Sequence, residues 1–193
     1  MKRTMLASGL ALSLMSGMAL AEGGGTYQFD KKGEHQFINF KISHLGYSWL
    51  YGRFDDFDGK FVYDEEKPEN SSVEVTINVG SVNSNHAERD KHLRGEDFLY
   101  TDEYPQATFK SKRIVMEEDG EAEIIGDFTL RGVTKEVTLD AEMIGHGKDP
   151  WGGYRMGFEA ETELTLKDFG IPRSLGPASE TVEIFISVEG IRQ

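Results

Sequence analysis

Apolar and polar residues alternate along most of this chain. From His35 to Ser43, Ile38, Phe40 and Ile42 share one face and Asn39 and Lys41 the other. Val73, Val75, Ile77 and Val79 alternate in the same way with Glu74, Thr76 and Asn78. The pattern returns at Ile124–Gly126–Phe128–Leu130, at Val137–Leu139–Ala141–Met143, from Met156 through Phe158, Ala160, Thr162 and Leu164 to Leu166, and at Val182–Ile184–Ile186–Val188. A period of two is the pattern of a strand buried on one face, because successive side chains leave the backbone in opposite directions. Tyr27–Asp30 and Phe54–Asp64 read as further strands. So does Ala107–Met116, with Phe109, Ser111, Arg113 and Val115 assigned to one side.

A few stretches break the alternation. Ser84 to Pro105 carries dense charge and reads as a helix with a tail. Asn85 is its expected N-cap, with Glu88 three residues on as in a capping box. Gly95 is the expected left-handed C-cap, and Asp90 and Arg94 are spaced to pair on the helix surface. His44–Tyr51 holds three aromatics and fits either a short helical turn or a covered loop. Gly145–Gly153 reads as a glycine-rich loop, Glu117–Gly120 as a hairpin turn, and Lys167–Ser179 as a loop containing Pro172 and Pro177.

These elements predict an all-β protein: an antiparallel β-barrel of about eight strands plus a short first one, with one helical insertion near residues 85–95. The polar faces are rich in Glu and Asp, so one face of the sheet meets water, and closure removes the sheet edges. Such a barrel is either packed with side chains or wide enough for one slender ligand. Strands of about ten to thirteen residues give about 30–40 Å of length before tilt. Small residues at the inward positions Gly126, Ala141, Ala160 and Thr162 favour an open lumen; a fully packed interior is the alternative.

Composition narrows the setting. Lys2 and Arg3 precede an apolar run from Met5 to Leu20, and Ala19-Leu20-Ala21 has the small-x-small form of a cleavage site. Residues 1–21 are therefore expected to be a cleaved signal peptide, leaving 22–193 as one domain without a stable membrane anchor. The chain has no cysteine and a net charge of −13. Packing, not disulfides, must hold it, and its charge repels nucleic-acid phosphates and anionic lipid headgroups alike, which argues against nucleic-acid and peripheral-membrane binding. No G-x-S-x-G or H-E-x-x-H motif occurs, so no catalytic or metal-ligating set is expected.

Several segments in combination resemble the YceI family: ISHLGYSWLYGRFDDFDGKF at 42–61, NHAERDKHLRGEDFL at 85–99, DFTLRGVTKEVTLDA at 127–141, DPWGGYRMGFEAE at 149–161 and the closing LGPASETVEIFISVEG. The resemblance spans about residues 26–191. It implies a lipocalin-like barrel with an elongated apolar tunnel for a polyisoprenoid or another long-chain amphiphile. It further implies export to the periplasm, no cofactor beyond the lipid itself, and in many members a homodimer. The inward faces then give the expected lipid-binding lining: Phe40, Ile42, Val75, Ile77, Phe128, Leu130, Leu139, Met143, Phe158, Leu164, Ile184 and Ile186. Tyr47, Trp49, Arg89, His92 and Arg94 are candidates for an entrance or a headgroup site, the guanidinium groups because they pair well with phosphate. Trp151 is a candidate cover for the other end. Two rival readings remain: an enzyme acting on an isoprenoid through Arg89, Asp90 and His92, and a packed barrel serving as a stress-related, protein-binding module.

Overall fold

A computed structural model describes residues 22–117 and 120–193; the expected signal peptide lies outside the described residues. The strands are β1 (Gly25–Phe29), β2 (Gln36–His44), β3 (Ser48–Phe54), β4 (Phe57–Tyr63), β5 (Ser72–Asn78), β6 (Val82–Asn83), β7 (Gln106–Met116), β8 (Ala122–Leu130), β9 (Val133–Lys148), β10 (Tyr154–Thr165) and β11 (Thr181–Arg192). Helix α1 (Ala87–Arg94) lies between β6 and β7.

Every strand pairing is antiparallel, and the sheet closes through β11. The last strand takes β2 along Val182–Val188 and β1 along Gly190–Arg192. In the same manner β4 pairs with β1 and β5, while β3 pairs with β2 and β6. Three barrel positions are thus each filled by a broken strand, β1/β2, β3/β4 and β5/β6, and the barrel has eight positions. The short first strand is half of one position, not a ninth strand.

The three breaks sit side by side and are bonded together. Lys31, between β1 and β2, pairs at 2.7 Å with Asp56, between β3 and β4. The other Asp56 oxygen accepts from Asn78 at 3.0 Å, and the Asp56 N–H donates to Ser81 Oγ at 3.0 Å. Bends that would leave backbone groups unpaired are thereby satisfied across the seam.

Three expected elements differ. Residues 48–54 form strand β3, not a helical turn or loop: Leu50 points inward with Trp49 and Tyr51 outward, so the alternation persists under the aromatic crowding. Strand β9 continues through Gly145–Lys148, leaving only residues 149–153 as loop. A bulge between Ser111 and Arg113 reverses the faces of β7. Ile114 and Met116, and not Arg113 and Val115, then follow Phe109 inward. A second bulge falls between Gly157 and Phe158.

The helix ends also differ. His86 is the N-cap, its Nδ1 accepting from the Arg89 N–H at 3.2 Å, while Asn85 takes a left-handed φ of 62° that turns the chain into the helix. Gly95 is extended (φ −71°, ψ 172°), and the tail instead folds back through the Phe98 and Tyr100 N–H groups onto its carbonyl. Asp90 does not close on Arg94: its Oδ1 accepts from Ser84 N–H (2.7 Å) and Ser84 Oγ (2.5 Å), tying the helix to the strand before it. Burial pushes the Asp90 carboxyl pKa up, but those Ser84 bonds outweigh it and hold the value below the ordinary one.

Close packing on the wall is severe at Gly126 of β8. A Cβ there would lie 2.4 Å from the Lys110 carbonyl oxygen and 2.7 Å from the Phe109 ring. Backbone cannot yield as a flexible side chain does. Gly126→Ala is therefore expected to lower stability by about 1–3 kcal/mol, read as a reduced urea midpoint with an unchanged slope.

Candidate functional site

The inward side chains do not fill the barrel. Two apolar cavities lie end to end along its axis, of about 370 and 350 Å³. The far cavity lies under the β7–β8 and β4–β5 connections and the near one under α1. Their linings are two residues apart on shared strands: Val75 and Ile77 on β5, Phe109 and Ala107 on β7, Ile186 and Ile184 on β11. About one layer of side chains separates them.

Val75, Leu139, Met143, Phe158 and Ile186 line the far cavity. Phe40, Ile42, Ile77, Phe128, Leu130, Leu164 and Ile184 line the near one. In the far cavity, small side chains supply the width. Ala122, Ala141, Ala160 and Ile186 stand opposite one another on β8, β9, β10 and β11, three of the four carrying a single methyl group. Aromatic rings close one side, Phe61 meeting Phe158 edge-on at 5.3 Å and stacking on Tyr27 at 4.8 Å.

The near cavity is covered by two segments outside the barrel wall. Leu93, Phe98 and Leu99 reach in from α1 and its tail; Phe169, Ile171 and Leu175 reach in from the β10–β11 connection. Arg131 Nη1 holds the helix tail by donating to the Glu96 and Phe98 carbonyls at 2.9 and 2.8 Å. The two segments meet where the Arg173 N–H donates to the Asp97 carbonyl at 3.3 Å. Periodicity could not reveal these residues, although Leu93, Phe98 and Leu99 are apolar in an otherwise charged stretch.

The near mouth is basic. His44, Arg89, His92 and Arg173 line this cavity, and no carboxylate does so among the described residues. Arg89 is fixed, donating from Nε to Ser84 Oγ at 2.7 Å and from Nη2 to the Ser84 carbonyl. The His92 ring stands edge-on to Phe98 at 5.1 Å. Of the other candidates, Arg94 lines an outer groove with Asp55, Asn83 and Asp90. Tyr47 and Trp49 stand outside on the β2–β3 hairpin, with the Lys41 amine 4.5 Å over the Trp49 ring. Trp151 covers neither cavity; it is 79% exposed, with the Arg155 guanidinium 5.3 Å from its ring.

The wall around the far cavity is acidic outside. Glu123, Asp140 and Glu161 stand opposite one another on neighbouring strands, as do Glu142 and Glu159, and Glu117 and Glu121 extend the patch to the far rim. A third polar cluster, Asp30, His35 and Glu189, brings its ligand atoms within 4.8 Å of one another. A cation is already there: Arg155 Nη1 donates to Asp30 Oδ2 at 2.6 Å and bonds Glu189.

A closed eight-position meander barrel with a hollow apolar axis and a helix over one mouth places the protein in the lipocalin-like class. The YceI-like domain family matches residues 27–190, and the chain belongs to that family. It is 56% identical to "Protein YceI" of Escherichia coli O157:H7, over all of both chains. Among solved structures it resembles the Campylobacter jejuni YCEI protein (31% identity, TM-score 0.71, 79% of this chain and 91% of that one). At 18% identity it shares its fold with a polyisoprenoid binding domain from Saccharophagus degradans implicated in plant cell wall breakdown (TM-score 0.64, 86% of this chain and 98% of that one).

Proposed function

We propose that this protein is an exported, periplasmic carrier of a polyisoprenoid or similar long-chain amphiphile. One observation carries the reading: the in-phase apolar side chains surround two aligned cavities instead of filling them. A filled barrel would gain the dispersion contacts that these walls forgo. Each methylene buried from water contributes about 0.8 kcal/mol, so a few isoprene units supply ample affinity without polar contacts along the tail. A ligand longer than one cavity would have to part the intervening layer. The basic near mouth suits a polar or anionic head, and the relative from Saccharophagus degradans supports the ligand class.

Catalysis is disfavoured by the geometry of the rival set. Asp90 is committed to Ser84 and does not line the cavity, and the carboxylate facing His92 is instead that of Asp97, 3.8 Å away, so Arg89, Asp90 and His92 are not brought together as one set. Mature protein purified from its own periplasm is expected to show a non-covalent apolar adduct by native mass spectrometry. Stripped protein is expected to take up a long-chain prenol from detergent micelles. Preparations that are always empty and take up no prenol would refute the carrier.

A further inference from the structure

A carrier must meet its lipid where the lipid resides. The β2–β3 connection beside the near mouth is three residues long, Leu45 to Tyr47, and within it the Tyr47 N–H donates to the His44 carbonyl at 3.0 Å, closing a tight turn. Both central residues are left-handed, Leu45 at φ 56° and Gly46 at φ 78°. That turn favours Asn-Gly, and a branched apolar side chain is ill suited to its first position. Leu45 nonetheless stands there 46% exposed. Tyr47 is 87% exposed and Trp49 55%, both on the same hairpin. Leu175, 36% exposed, lies at the rim and lines the near cavity itself.

Local conformation does not favour Leu45, and burial does not explain Tyr47. Strain kept at an exposed apolar tip beside a ligand mouth points to a contact outside the molecule. Tyrosine and tryptophan are the side chains that settle at the headgroup level of a membrane.

The net charge of −13 repels an anionic surface as a whole, so the occupant is decided by how charge is distributed between the two ends. His44 and Arg173 are exposed at this mouth and make no ion pair among the described residues; Arg89 lies beside them, and His92 faces the Asp97 carboxylate at 3.8 Å. The far rim carries Glu117 and Glu121 below the row of Glu123, Asp140 and Glu161, which make no ion pair among the described residues. An anionic surface would attract the first end and repel the second.

We propose that Leu45, Tyr47 and Trp49, with the basic residues of the near mouth, form a docking surface for an anionic phospholipid bilayer, from which the tail passes into the near cavity. This rests on the carrier reading and adds the partner from which the cargo is taken.

The test is flotation of the full mature chain with phosphatidylethanolamine–phosphatidylglycerol vesicles and with phosphatidylcholine vesicles. Binding to the anionic vesicles and little to the neutral ones is expected. Tyr47→Ser with Trp49→Ser should lower that binding about tenfold or more. Leu45→Asn should also weaken it while raising the urea midpoint, because asparagine accepts the left-handed conformation; a residue serving only the fold would not separate the two readouts. Both variants should take up prenol from detergent micelles like the parent. A parent that fails to float, or variants that float as it does, would overturn the docking surface. So would loss of a dimer in sedimentation without loss of flotation, which assigns the patch to a second copy. Failure of micellar uptake by the parent sinks the carrier instead, so the two ideas fail separately.

Discussion

Replacing Arg155 with methionine is expected to lower folding stability by about 3 kcal/mol at neutral pH, because it leaves a buried carboxylate without its cation. Asp30 is 3% exposed, and Arg155 Nη1 donates to it at 2.6 Å. The same guanidinium donates from Nε to Asp149 at 2.9 Å and bonds Glu189. It therefore ties three segments together: the bend after β1, the β9–β10 loop and the end of β11. Methionine fills a similar volume but satisfies none of these acceptors. Partial exposure of the arginine keeps the loss toward the lower end for a broken buried pair. Chemical denaturation at pH 7 measures it; a change below about 1 kcal/mol would show that water replaces the guanidinium freely.

The pH dependence has a definite sign. Burial pushes the Asp30 carboxyl pKa up, but hydrogen bonds from Arg155, His35 and the Gly33 N–H outweigh it and bring it from 3.8 to about 2. A depressed carboxyl stabilises the fold above its unfolded value and loses that contribution as pH falls through its folded one. The advantage of the parent over Arg155→Met should thus be full above about pH 5, shrink between 3.8 and about 2, and vanish below. A gap that instead widened on acidification would assign the stabilising role to another group.

Which side chains face inward was legible because strand geometry forces a period of two, and the twelve positions read as inward each border one of the two cavities. It failed where one residue is added to a strand. The bulge before Arg113 flips the next side chains, and nothing in Ser111-Lys112-Arg113 announces it. The β9 strand was cut short in the reading because glycines at 145 and 147 resemble loop, whereas the strand pairing of β10 carries them. The N-cap lies one residue later than expected because His86 takes the role that composition gives to Asn85, whereas Gly95 is the expected C-cap in an extended conformation, not a left-handed one. The hollow interior was not legible from alternation, which is the same for a filled barrel and an open one; it depends on summed side-chain volume across strands brought together only by closure. The lid residues Phe98, Leu99, Phe169 and Ile171 have no shared period, so only the fold joins them.

Phe158→Arg is expected to lower prenol affinity by about a hundredfold or more. Phe158 projects into the far cavity against Phe61 at 5.3 Å and Tyr63 at 6.3 Å. A guanidinium there must either lose its hydration among apolar walls or reach for the rim, and both courses obstruct the path of the tail. Excluding one five-carbon unit forfeits up to about 4 kcal/mol of transfer free energy, more than a hundredfold requires. The buried charge will also destabilise the barrel, so Ala160→Leu separates blockage from unfolding. Leucine at 160 stays apolar, extends from the row of small residues into open space and should raise stability by about 0.5–1 kcal/mol, as cavity filling does. It should nevertheless weaken binding of long prenols while sparing short ones that fit the near cavity alone. Titration of both variants with prenols of increasing length distinguishes the outcomes. If folded Phe158→Arg and Ala160→Leu bind every length as the parent does, the tail does not run through the far cavity.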